Sequence, residues 1–148
     1  MPSTWSQILL HIVYGTKNRE PLITPKIRDR LYPFIGGIVR DEGGVLYTIG
    51  GMSDHVHMLV RWGTDRGVGD LVRHVKSRSS LWIRKEFACP FRWQKAYGVF
   101  SVSASNAEKV KSYIAHQEEH HRQRSFMEEL VELLQRHGVE YDPGYLLD

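Results

Sequence analysis

The chain has 148 residues, 41% hydrophobic and 25% charged, with a formal net charge of +3. That is the size and balance of one globular domain with one core, and it argues against disorder. No apolar run reaches the roughly eighteen residues of a membrane span, and Met1 to Ser6 lacks the basic-then-apolar layout of a secretory signal, so a cytoplasmic protein without membrane attachment is expected.

Gln7 to Tyr14 is an apolar, β-rich run that predicts a first strand, and Gly15 to Asn18 predicts a turn. Thr24-Pro25 opens a helix with threonine as cap and proline at the first helical position. Its apolar face is Ile27, Leu31, Phe34, Ile35 and Ile38, and it ends near Glu42-Gly43-Gly44. Val45 to Ile49 predicts a second strand and His55 to Trp62 a third, with Gly50-Gly51 turning the chain between them. Gly69-Asp70 opens a second helix to about Phe87, with Leu71, Val72, Val75, Leu81 and Trp82 inward. Phe91 to Trp93 and Tyr97 to Val102 supply a last strand or short hairpin. The order β-α-β-β-α-β is that of an α+β ferredoxin-like sandwich, an antiparallel sheet with helices on one face. Ser105 to Glu108 has the spacing of a capping box and predicts a third helix to roughly Arg122. A further amphipathic helix, Phe126 to about His137, carries Leu130, Leu133 and Leu134.

Alternate residues of a strand share a face, so His55 and His57 project together while Val56, Met58 and Val60 project oppositely. That pair is a two-nitrogen clamp for a metal. On the third helix Tyr113 and Gln117, four apart, share a face and offer a hydroxyl nucleophile and a third ligand. Two imidazoles and one amide oxygen suit Mg²⁺ or Mn²⁺ better than structural zinc, which favours thiolates. A phenol has a pKa near ~10 and needs help as a nucleophile; a divalent cation polarises the phosphate under attack. The resulting phosphotyrosine ester conserves bond energy, so a strand can be cut and later rejoined. The lone cysteine, Cys89 beside Pro90, cannot form an internal disulfide and is expected to pack.

Charge is uneven. Arg61 to Lys95 holds nine basic residues against three acids, interleaved with Trp82, Phe87, Phe91, Trp93, Tyr97 and Phe100, whereas Glu118 to Asp148 is acidic. Cations meet phosphates and rings stack on unpaired bases, which suits single-stranded nucleic acid, although each aromatic by itself fits core packing better.

The stretches His11 to Arg19 (HIVYGTKNR), Asp54 to Val60 (DHVHMLV) and Ser112 to Gln117 (SYIAHQ), in that order and spacing, resemble the single-tyrosine HUH transposases of small insertion sequences and their REP-associated relatives. The resemblance spans about residues 5 to 123 of a single domain over 1–148, with a C-terminal helix and tail from about 124. It implies a DNA transposase that cuts and rejoins single-stranded, hairpin-bearing DNA through a 5′-phosphotyrosine. It further implies Tyr113 as nucleophile, His55, His57 and Gln117 as metal ligands, and a homodimer whose active sites can be shared between subunits. The family often has asparagine where this chain has His116, and His116 or His120 could add or replace a ligand.

Each residue has a plainer explanation: a solvated strand face for the histidines, a packed ring for Tyr113, an exposed amide for Gln117. His11 reads as a satisfied core or surface histidine, and Glu118 to His121 as a solvated helix face, because consecutive helical residues diverge. Lys17, Arg19, Arg73, Lys76 and Arg78 are candidate phosphate contacts, with surface solubility as the alternative. A replication nickase is disfavoured by the absence of a helicase or primase region. An idle, host-domesticated single-stranded nucleic-acid-binding protein and a hydrolase using activated water are the other readings.

Overall fold

The computed structural model describes residues 4–121 and 124–146. Four strands, β1 (Ile8–Gly15), β2 (Val45–Met52), β3 (His55–Trp62) and β4 (Gly98–Val102), form one antiparallel sheet in the order β2-β3-β1-β4. Helices α1 (Pro25–Asp41) and α2 (Val68–Phe87) complete the β-α-β-β-α-β unit. This is the expected α+β ferredoxin-like arrangement. Beyond it come α3 (Ala107–Ala115), α4 (Gln117–His120) and α5 (Phe126–Arg136). No helix among the described residues is long and apolar enough to cross a membrane.

The central pair, β1 and β3, is buried on both faces. Leu10, Ile12 and Tyr14 lie opposite Val60, Met58 and Val56 on one face, and all six pack in the core beneath α1 and α2. The alternate residues, Leu9, His11 and Val13 opposite Arg61, Leu59 and His57, point to the other face. That second face is covered by Ile114 of α3 and by Phe126, Leu130, Leu133 and Leu134 along one stripe of α5. Burying each such large side chain contributes about 1.5–3 kcal/mol, which is what pins the C-terminal helices onto the sheet.

Local signals set most boundaries. The Thr24 hydroxyl accepts the Ile27 amide proton at 3.3 Å and Pro25 opens α1. Gly43, at φ +93°, lets the chain leave α1. On α2, Leu71, Val72, Val75 and Ile83 are buried as the period dictates, but Leu81 is 48% exposed, contrary to expectation. Ser79 takes the inward position one turn after Val75, because its hydroxyl donates to the Val75 carbonyl while accepting the Trp93 indole N–H at 2.9 Å. Phe91 and Trp93 lie in the core, and only Gly98–Val102 forms the last strand.

Two further expectations change. Gly50-Gly51 does not turn the chain: β2 runs on to Met52, pairing Gly50 with His57 and Gly51 with Val56, and the turn falls at Ser53-Asp54. The glycines serve close approach instead, since a Cβ on Gly50 would stand 2.2 Å from the Ile114 carbonyl oxygen of α3. The third helix begins at Ala107 without a side-chain cap bond and stops at Ala115, where His116 leaves helical geometry (φ −109°, ψ 34°) and its Nδ1 engages the Ser112 carbonyl at 2.7 Å. Its expected end, Arg122, lies outside the described residues. The capping box belongs to α5, where Ser125 and Glu128 bond reciprocally.

Candidate active site

Alternation along β3 delivers both histidines to the face under α3, α4 and α5, where each is fully buried. Their outer nitrogens are engaged. His55 Nδ1 stands 2.7 Å from Asp54 Oδ1, and His57 Nδ1 stands 2.8 Å from His11 Nε2. Both Nε2 atoms therefore point the same way, towards the space between sheet and helices, an orientation typical of metal-binding histidines held by outer partners.

Tyr113, Gln117 and His121, spaced by four residues, all face this space despite the break at His116. Gln117 is 2% exposed, and its Oε1 lies 3.0 Å from both His55 Nε2 and His121 Nε2. Tyr113 is half-buried, its ring edge-on to His57 with centroids 5.7 Å apart. From α5, Glu129 reaches into the centre. Its Oε1 accepts from His57 Nε2 at 2.8 Å and from His121 Nε2 at 3.1 Å, and its Oε2 accepts the Tyr113 hydroxyl proton. Ligand atoms of His55, His57, His121 and Glu129 all lie within 4.8 Å of one another, a cluster able to hold a metal ion.

The electrostatics follow from burial and pairing. Burial works to raise the Glu129 pKa, but hydrogen bonds from His121 and His57, the charge of His57 and the Tyr113 hydroxyl hold it well below the ordinary carboxylate range. Burial, then the neighbouring Glu129 charge, pushes the Tyr113 phenol up. Burial pushes His57 down, and burial together with the His57 charge takes His11 to about 3. A neutral His11 donates its Nε2 proton to His57 Nδ1, which leaves the His57 proton on Nε2, facing Glu129.

His11 is thus a core histidine, as expected, but one that orients His57. His116 is exposed and His120 lies against the Tyr113 ring at 4.7 Å between centroids; His121 enters the cluster instead. Glu118 and Glu119 are exposed, as a solvated face requires. Glu129 and His121 were missed from sequence. The readable sign of Glu129 was an acid in the apolar stripe Phe126, Leu130, Leu133, since a carboxylate at a core position requires a partner.

The candidate phosphate contacts divide. Arg19 stands 3.6 Å from Asp54, behind His55, while Arg73 and Arg78 pair with Asp70 and Asp41. The Lys76 ammonium donates to the carbonyls of Gln94, Lys95 and Ala96 at 2.8–3.0 Å and lies over the Tyr14 ring; burial lowers its pKa to about 8. Beside it opens a cleft of about 590 Å³ lined by Lys17, Arg84, Arg92 and Lys95 and, among the described residues, by no acid. Among the interleaved aromatics, Phe91, Trp93 and Phe100 are buried, whereas Tyr97 is exposed.

Residues 4–117 match the sequence profile of the family described as Transposase IS200 like. The chain is 22% identical over 118 residues to the ISDra2 transposase TnpA of Deinococcus radiodurans, covering 75% of this chain and 84% of the relative. A crystal structure of a Deinococcus radiodurans protein described as a transposase superposes with a TM-score of 0.66 at 22% identity, covering 79% of this chain and 95% of that one. A REP-associated tyrosine transposase bound to a REP hairpin superposes with a TM-score of 0.58 at 12% identity, covering 77% and 68%.

Proposed function

Because the chain belongs to the IS200-like transposase family, we propose that it cuts and rejoins single-stranded DNA with Tyr113 as nucleophile and with His55, His57 and Gln117 holding a divalent metal, Mg²⁺ or Mn²⁺. One observation carries this reading: a tyrosine hydroxyl and two imidazole Nε2 atoms from a neighbouring strand converge within one chain on a single carboxylate.

The donor set fits a cation. In its neutral form His55 gives its proton to Asp54 through Nδ1, so its buried Nε2 presents a lone pair to Gln117 Oε1 at 3.0 Å and Glu129 Oε1 at 3.6 Å. A lone pair on His55 Nε2 set against two oxygen acceptors, neither of which has a proton to give it, is what a bound cation satisfies. Turning the Gln117 amide over would set its oxygen against the Tyr113 carbonyl, which the amide nitrogen now faces at 3.4 Å. When bound, the metal polarises the scissile phosphate and neutralises charge developing on it.

The protein's own groups do the rest. Asp54 and His11 fix the two ring orientations, and Glu129 Oε2 holds the phenol proton and so aims the Tyr113 oxygen into the site. The Tyr113 oxygen forms a bond to phosphorus while the bond to the 3′ oxygen breaks; the phenol proton is given up and the departing 3′ oxygen takes one on. Reversal of the step rejoins the strand. The cleft formed with Lys17, Arg84, Arg92 and Lys95 suits the flanking phosphates by charge. A homodimer on hairpin-bearing DNA, whose active sites can be shared between subunits, belongs to this reading.

Incubation with single-stranded hairpin DNA and Mn²⁺ is expected to give a protein–DNA adduct that survives denaturation. Tyr113→Phe is expected to abolish it while hairpin binding persists. Cleavage without an adduct would assign the attack to water, and an adduct surviving Tyr113→Phe would remove this tyrosine from its role.

A further inference from the structure

We propose that the anionic ligand of the metal centre is Glu129 of α5, with His121 as a third imidazole, so that the centre is not completed by the Gln117 amide alone. The inference rests on the metal-dependent reading above and concerns which residues of this chain hold the ion. Both residues lie beyond 4–117, the segment matched to the family profile, so the donor comes from the C-terminal extension of this chain.

Three observations support it. The first is placement: Glu129 is 2% exposed, and its Oε1 is 2.8, 3.1 and 3.6 Å from the Nε2 atoms of His57, His121 and His55. The second is chemical. A carboxylate oxygen with full charge is a stronger donor to a divalent ion than a neutral amide, and three imidazoles with one carboxylate suit Mn²⁺ more than Mg²⁺, which prefers oxygen ligands and retained water. The third is structural. The Ser125–Glu128 capping box and the buried Phe126, Leu130 and Leu133 lock the start and the face of α5, so Glu129 is held by packing rather than by a loop. Packing alone does not account for a charge here, because an apolar residue would complete that stripe without desolvating a carboxylate.

The assignment is tested on the metal-free full-length chain, without DNA, by titration with Mn²⁺ followed by electron paramagnetic resonance and calorimetry. Glu129→Gln, which keeps size and hydrogen-bonding capacity, is expected to weaken Mn²⁺ binding by ~10–100-fold or more, and His121→Ala by about 10-fold. Gln117→Ala is expected to cost less than Glu129→Gln. Wild-type protein is expected to bind Mn²⁺ more tightly than Mg²⁺ in competition. Circular dichroism melts identify any variant that fails to fold, and for that case Glu129→Asp, which keeps the charge on a shorter stem, is expected to retain measurable binding. Unchanged Mn²⁺ affinity in Glu129→Gln, a larger loss in Gln117→Ala, or no Mn²⁺ binding by the wild type overturns the assignment. The adduct assay is independent: Glu129-dependent binding in a protein that forms no adduct would sink the transposition chemistry and leave the ligand set standing.

Discussion

The two faces of the β1–β3 pair are built from the same strands and do opposite work. Towards α1 and α2 the strands present Leu10, Ile12, Tyr14, Val56, Met58 and Val60, an almost wholly apolar layer. Towards α3 to α5 they present His11, His55 and His57 among Leu9, Val13 and Leu59, and a carboxylate and an amide from the covering helices complete the network. The dry face supplies rigidity, and the polar face borrows it. A histidine on a strand whose other side is close-packed has little freedom to move, which is the requirement for holding ligand atoms in register.

That contrast is open to direct attack. Met58→Ala, on the dry face next to His57, should cost about 2–5 kcal/mol in denaturant melts, as buried large-to-small changes do. Mn²⁺ affinity per folded molecule should stay within about twofold, and a loss matching that of a ligand variant would show that the faces are not separable. Gly50→Ala should cost about 1–3 kcal/mol by overpacking, because the new methyl meets the Ile114 carbonyl oxygen. Its sharper effect should be on adduct formation, since displacing Ile114 displaces Tyr113 beside it. A variant with normal adduct yield would mean that α3 adjusts without moving the tyrosine. His11→Phe should alter stability least. It removes the partner that holds the His57 ring through Nδ1 and so aims Nε2 into the site, and Mn²⁺ affinity is therefore expected to fall about tenfold, measured by the same titration.

The legible part of the site was the part carried by local periodicity. Period-two alternation put His55 and His57 together, and period-four spacing put Tyr113 with Gln117; both pairings stand in the structure. The same logic misplaced Leu81 and the turn at Gly50-Gly51. There the deciding contacts were non-local: the Trp93 indole claiming Ser79, and α3 passing so close to β2 that no side chain fits. His121 was hidden by a sound rule, that consecutive helical residues diverge, applied to a run in which one residue still had to face inward.

The sequence by itself determined the strand and helix order, the face shared by the two histidines and the helix bearing the tyrosine, because these depend on residue spacing along one element. Only the tertiary structure decided that α5 folds back across the polar face to set Glu129 between His57 and Tyr113. That placement joins residues 72 and 16 positions apart through contacts no local pattern encodes. It arises because Phe126, Leu130, Leu133 and Leu134 require an apolar surface, and Val13 and Phe100 of the sheet provide it.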